Sequence, residues 1–154
     1  MQQNNWTRTL LKSYTYLDRL VGSIDKTFTK ACYSSFYYNS ASCNSTLSLS
    51  NRLIDLNERK VLLINTKLLV DKLLKNIGKE GAKLLTLKYI DGIKSEDIAN
   101  LLKCSKRTVT RKLTSYCKKA EEFLNKIGFD SKKLLKMYSS EQWLLDIYYK
   151  DKEW

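Results

Sequence analysis

Apolar residues in the first part of the chain keep a strict rhythm. Leu10, Tyr14, Leu17, Val21, Ile24, Phe28 and Ala31 follow one another at alternating steps of four and three, the heptad repeat of a helix with a single apolar seam. Such a seam has to be covered, by another segment of the same chain or by a second chain, and both readings are open. Gly22 falls off the seam and weakens the helix by about 1 kcal/mol relative to alanine. From Tyr33 to Ser50 the rhythm lapses into a polar stretch rich in serine and asparagine, which reads as a linker. Its aromatic residues Phe36, Tyr37 and Tyr38 can dock on neighbouring helices or stack on nucleic-acid bases. Helical periodicity resumes with Ser48 or Ser50 as N-cap and runs to Ile77, where Gly78 is placed to end it. Leu49, Leu53, Leu56, Leu63, Val70, Leu74 and Ile77 form its seam, interrupted by Lys60 and Lys67, and a second row of Val61, Ile64 and Leu68 widens the apolar face. The two helices predict an antiparallel hairpin over residues 1–78.

The next stretch, residues 79–128, has shorter periods. Leu84, Leu85, Leu87 and Tyr89 predict a helix ending at Asp91-Gly92, where glycine can take a positive φ. Ser95 is the expected cap of a second helix, with Glu96 and Asp97 in the first turn, where the helix dipole favours negative charge. Ile98, Ala99, Leu101 and Leu102 are its expected buried face. After a break at Lys103-Cys104, Ser105 is a further N-cap, and Val109, Leu113, Cys117, Ala120 and Leu124 follow at steps of three or four. A short helix, a tight turn and a longer helix are the parts of a helix-turn-helix.

Residues 129–154 follow the stop signal at Gly128. They predict two short helices: Lys132 to Met137, preceded by Asp130 or Ser131, and Glu141 to Tyr149, with Ser140 as N-cap. Leu134, Leu135, Trp143, Leu144, Ile147 and Tyr148 are too apolar for a free tail. They cover the helix-turn-helix or the hairpin, or else form a partner-binding patch. No window shows the period-two alternation of a strand, so the expected fold class is all-α.

Charge adds a partner to this picture. With 28 lysines and arginines against 16 acids, the formal net charge is +12, which favours a polyanion. Between Ile98 and Ala120 there are seven basic residues and no acid, the one-sided balance that a phosphate-facing surface needs. Lys106, Arg107, Thr110 and Arg111 project from the first two turns of the longer helix, the part of a recognition helix that reaches base edges in the major groove. Arginine and lysine suit guanine O6 and N7 there. The candidate DNA-binding set is Ser105, Lys106, Arg107, Thr108, Thr110, Arg111 and Lys112.

Other chemistries find little support. The chain has no histidine, and its four cysteines, Cys32, Cys43, Cys104 and Cys117, form no CxxC pair, so no metal site, cofactor or disulfide framework is expected. It shows no glycine-rich phosphate loop and no nucleophile motif, so no enzyme is expected either. No apolar run approaches the ~20 residues of a transmembrane helix, and MQQNNWTRTL lacks the apolar core of a signal peptide, which predicts a cytoplasmic protein that does not enter membranes. The absence of proline and the use of 22 lysines against 6 arginines point to a low-GC genome.

The run L-x-L-x-Y-x-D-G, then S-x-x-I-A-x-x-L, then S-x-x-T-V-x-R-x-L resembles the helix-turn-helix of bacterial sigma factor region 4. It is similar also to phage regulators built on that unit, such as the ArpU-type and RinA-type late-gene activators. The resemblance implies that Lys106, Arg107 and Arg111 take base-contacting positions and that Thr108 and Thr110 take flanking or phosphate positions. Two residues depart from the pattern. Lys103 replaces the glycine often found at the turn, a change that a left-handed lysine tolerates at modest cost. Cys104 replaces a usual isoleucine or valine and serves as a small hydrophobe.

Two function classes follow. In one, the protein is a sequence-specific transcriptional regulator that binds double-stranded DNA, with the hairpin serving homodimerisation or contact with RNA polymerase. The chain is too short to look like a complete sigma factor, because nothing upstream of the helix-turn-helix resembles the region that melts a promoter's −10 element. In the other, it is a DNA-packaging or structural DNA-binding protein such as a small terminase subunit. Oligomeric state separates them.

Overall fold

The computed structural model describes residues 5–37 and 43–150, and every regular element among them is helical. In order these are α1 (Trp6–Tyr37), α2 (Cys43–Ile77), α3 (Lys79–Leu85), a single π-helical turn (Thr86–Ile90), α4 (Ser95–Leu101), α5 (Lys106–Lys126), α6 (Ser131–Met137) and α7 (Gln142–Lys150). No helix among the described residues is long and apolar enough to cross a membrane.

The linker expected at 33–50 is largely helix. α1 continues through Tyr37 and α2 begins at Cys43, so the expected N-caps Ser48 and Ser50 lie inside α2. Serine and asparagine cost only about 0.5 kcal/mol each relative to alanine in a helix. Extending a helix that is already nucleated is much easier than starting one. Tyr38, and the side chains of Phe36 and Tyr37, lie outside the described residues.

The chain forms two compact units, Thr15–Leu68 on one hand and the described residues of Met1–Tyr14 and Leu69–Trp154 on the other. These cut across the segments 1–78, 79–128 and 129–154 read from the sequence, because the first turns of α1 and the last turns of α2 belong with the later helices.

In the Thr15–Leu68 unit, Leu17, Ile24 and Leu63 are buried. Lys60 reaches Asp25 at 2.5 Å and Lys67 reaches Asp18 at 2.6 Å. Seven residues forward on α1 correspond to seven residues back on α2, which is the antiparallel arrangement expected. The lysines that interrupt the seam of α2 are therefore the ones that meet the acids of α1. Exposed pairs of this kind are each worth at most about 1 kcal/mol, so they set register more than stability. The second apolar row does not widen the buried face, because Val61, Ile64 and Leu68 are exposed. Among the described residues α1 is the only other helix in this unit, and one neighbour covers one side of α2. Phe28 is exposed as well, so burial of the α1 seam falls off towards its C-terminal end.

In the other unit the start of α1 is enclosed. Trp6, Leu10 and Leu11 are fully buried together with Thr9 and Ser13. The two hydroxyls are satisfied locally, Thr9 donating to the Asn5 carbonyl at 3.0 Å and Ser13 to the Leu10 carbonyl at 2.8 Å, as burial requires. Trp6 stacks on Tyr138 and Tyr148, with ring centroids 5.6 and 4.5 Å away. Leu134 and Leu144 are buried too, so the C-terminal helices are part of this core. Asp130 caps α6 by accepting the Lys133 amide at 2.8 Å. α7 starts one residue later than a Ser140 cap implies: the Glu141 carbonyl accepts the Leu144 and Leu145 amides. The buried Glu141 carboxylate accepts the Trp143 indole N–H at 2.6 Å.

Candidate nucleic-acid interface

Three backbone reversals shape the segment from α3 to α5. Gly78 at φ +89° separates α2 from α3. Gly92 at φ +70° ends the π-helical turn, where the Asp91 amide bonds the Thr86 carbonyl and the Ile93 amide reaches back to Leu87, both at 2.9 Å. The third is Lys103 at φ +49°, the single non-glycine with positive φ among the described residues. The left-handed lysine expected at the turn is thus what the chain adopts. Around it the Lys103 amide bonds the Asn100 carbonyl at 3.2 Å and the Cys104 amide bonds Ala99 at 3.0 Å.

α4 differs from expectation at both ends. Lys94, not Ser95, holds the N-cap position, and no side chain caps the helix. The Lys94 carbonyl already accepts the Ile98 amide at 3.0 Å, so the helix starts one residue earlier than a Ser95 cap implies, with Ser95 as its first residue. Ile98 and Ala99 are buried as expected, but Leu101 is 65% and Leu102 39% exposed. At 3.6 residues per turn, Leu101 lies about 110° from the centre of a face formed by Ile98 and Ala99. Leu102 would fall on that face, but the helix ends at Leu101 and Leu102 leaves it.

α5 begins as the sequence predicts. The Ser105 hydroxyl accepts the Thr108 amide at 3.2 Å and shares a 2.8 Å hydrogen bond with the Thr108 hydroxyl. Val109, Leu113, Ala120 and Leu124 are buried and anchor the helix. Cys117 is half-buried with its thiol 3.7 Å from the Tyr89 hydroxyl, and burial pushes its thiol up from the ordinary range. The underside of α5 meets α3 at Gly81. A Cβ there would clash with Ile77 and stand 2.6 Å from Cδ1 of Tyr116.

The seven candidate residues separate into three groups. Ser105 and Thr108 close the helix N-terminus on each other. Lys106 and Lys112 are held by acids from other helices: Lys106 meets Glu96 of α4 at 2.6 Å, and Lys112 meets Glu80 of α3 at 2.5 Å. Hydrogen bonding and charge from these lysines hold both carboxyls below their ordinary range, and Glu80 in turn raises Lys112. Arg107, Thr110 and Arg111 form the third group and are exposed. The Thr110 hydroxyl donates to the Lys106 carbonyl at 3.0 Å, which leaves its methyl and oxygen lone pairs facing outward. Arg107 and Arg111 have no hydrogen bond or ion pair among the described residues and stand one helical turn apart on one side of α5. Planar guanidinium groups so placed, at the positive end of a helix dipole, suit guanine edges and phosphate oxygens. Among the described residues, no cluster of three or more potential metal-ligating side chains occurs.

Sequence reasoning did not find the roles of Glu80 and Gly81. Lys112 lies 32 residues from Glu80, and no local pattern links them. The Glu96–Lys106 contact spans ten residues across the turn, and its signal was the motif itself, which brings the start of α4 near the start of α5.

A family model described as ECF sigma factor matches residues 43–126. The match runs from the first residue of α2 to the last of α5 and takes in more than half of the chain. A comparison with curated proteins returned no match, and neither did one with solved structures.

Proposed function

The chain belongs to the ECF sigma factor family, and from that premise we propose that it is a transcriptional regulator that selects its DNA site through α5. The helix-turn-helix is of the sigma region 4 kind. One observation carries the proposal: Arg107 and Arg111 stand unpaired and exposed on the first turns of a capped, anchored helix. Both arginines enter the major groove of double-stranded DNA and read guanine, while Lys118, further along the same exposed side, touches phosphate. The antiparallel hairpin of α1 and α2 serves contact with RNA polymerase or pairing of two copies. The likeness to ArpU-type and RinA-type activators and the lysine-rich composition support an origin in a phage or a low-GC bacterium.

Enrichment of bound duplexes from a random pool tests this reading. The expected result is one recurrent motif containing guanines at a fixed spacing, bound more tightly than random duplex at physiological salt. A pool that stays random after repeated rounds contradicts it. A particle mass measured on the free protein separates a monomer or dimer, as a regulator requires, from a ring of many subunits.

A further inference from the structure

Lys106 and Lys112 flank the Arg107 and Arg111 stripe on opposite sides of α5, at positions about 100° and 140° around the helix from Arg107. Each is met by a carboxylate from a different helix, Glu96 of α4 at 2.6 Å and Glu80 of α3 at 2.5 Å. The two acids are separated in sequence and approach from either side, yet both take a basic neighbour of the stripe and neither takes an arginine of it. Lysine is a point charge on a flexible stem, attracted to phosphate regardless of sequence, whereas arginine presents the planar fork that reads guanine.

We propose that Glu80 and Glu96 restrain sequence-independent binding by holding Lys112 and Lys106 off the DNA backbone, so that affinity depends on the stripe of Arg107 and Arg111. The proposal rests on the DNA-reading function proposed above. Attraction to phosphate contributes equally to correct and incorrect sites, so every lysine withdrawn from it lowers non-specific binding. The pairs are exposed, with side chains of Glu80 and Glu96 about two-thirds accessible, so their loss leaves the core of α3, α4 and α5 in place.

The test uses the full chain, with titrations of wild type, Glu96→Gln, Glu80→Gln and the double variant on the enriched duplex and on a random duplex at 50 and 200 mM salt. Each lysine released to a phosphate steepens the slope of log affinity against log salt by about 0.9, a further loss of about 3.5-fold between those two concentrations. The double variant is expected to bind the random duplex several-fold more tightly than wild type at 50 mM. Its slope should steepen by about 1.8 on both duplexes, with the ratio of the two affinities as in wild type and a melting midpoint only slightly lowered, since exposed pairs contribute little to stability. In a Lys106→Ala background the Glu96→Gln change should have no effect. Persistence of the gain in that background overturns the proposal, since the acid would then act without its lysine. Unchanged slope and affinity in the Glu→Gln variants, with a wild type that discriminates, overturns it while leaving DNA reading intact. A wild type that binds both duplexes alike removes the DNA-reading proposal and this one together.

Discussion

Gly81 and Tyr116 are in such close contact that a Cβ on the glycine would stand 2.6 Å from Cδ1 of the ring. Glycine is required here for the approach of α3 to α5 and not for backbone freedom, since Gly81 lies inside α3. Because α5 carries the arginines, this contact fixes that helix against the helix that supplies Glu80. Gly81→Ala should force α3 away from Tyr116 at a cost of about 1–3 kcal/mol, the usual range for overpacking. Thermal denaturation checks this. A melting midpoint equal to that of wild type would show that the ring yields freely.

Trp6 is predicted to be a large contributor to stability although it stands near the start of the chain. It is fully buried and stacked on Tyr138 and Tyr148. Trp6→Ala should therefore cost about 3–5 kcal/mol. Urea titration gives the number. A loss below about 1 kcal/mol would mean that the stack is dispensable, because substitutions away from a packed core stay near that level.

Leu17 and Ile24 are buried inside the Thr15–Leu68 unit. Aspartate at both positions places charges where no partner exists, which is strongly unfavourable. The expected outcome is loss of helical signal on melting at a much lower temperature. Conversion of a stable oligomer to an equally stable monomer, seen by sedimentation, would instead assign the seam to contact between chains.

The two acid pairs predict a pH response. Lys112 and Lys106 lower the carboxyls of Glu80 and Glu96 in the folded state. Their contribution is present above the ordinary glutamate value of 4.5 and is lost as pH falls through the depressed folded values. Lys112, raised by Glu80, contributes at neutral pH and loses its contribution only as pH rises through its elevated folded value. Both pairs are thus intact at neutral pH. Glu80→Gln should flatten the fall of melting midpoint between about pH 5 and pH 3. Parallel curves for variant and wild type would contradict the pairing.

The all-helical fold was legible because its periodicities are long and its stops are chemical. Gly78, Gly92 and Gly128 all take the positive φ expected of them, and Ser105 caps α5 as its type and position imply. The misjudged features depend on tertiary neighbours. Val61, Ile64, Leu68 and Leu101 are apolar at helical spacing and yet exposed, because periodicity says which residues share a face and not whether a neighbour covers it. The polar composition from Tyr33 to Ser50 suggests a linker, but α1 and α2 extend into it. At the candidate site, Arg107, Thr110 and Arg111 could be placed from the motif alone. The pairing of Lys106 and Lys112 could not, since it requires acids brought in by α4 and α3.

Arg107 and Arg111 are proposed to read sequence, while Lys118 on the same side of α5 supplies only general attraction. Titration of Arg107→Ala, Arg111→Ala and Lys118→Ala on the enriched duplex and on random duplex, at two salt concentrations, tests it most directly. Each arginine variant should lose about 1–3 kcal/mol on the enriched duplex and much less on the random one. Lys118→Ala should weaken binding to both alike and reduce the salt slope by about 0.9. Equal, small losses for all three variants on both duplexes would contradict the claim and reduce the basic face of α5 to a solvated surface.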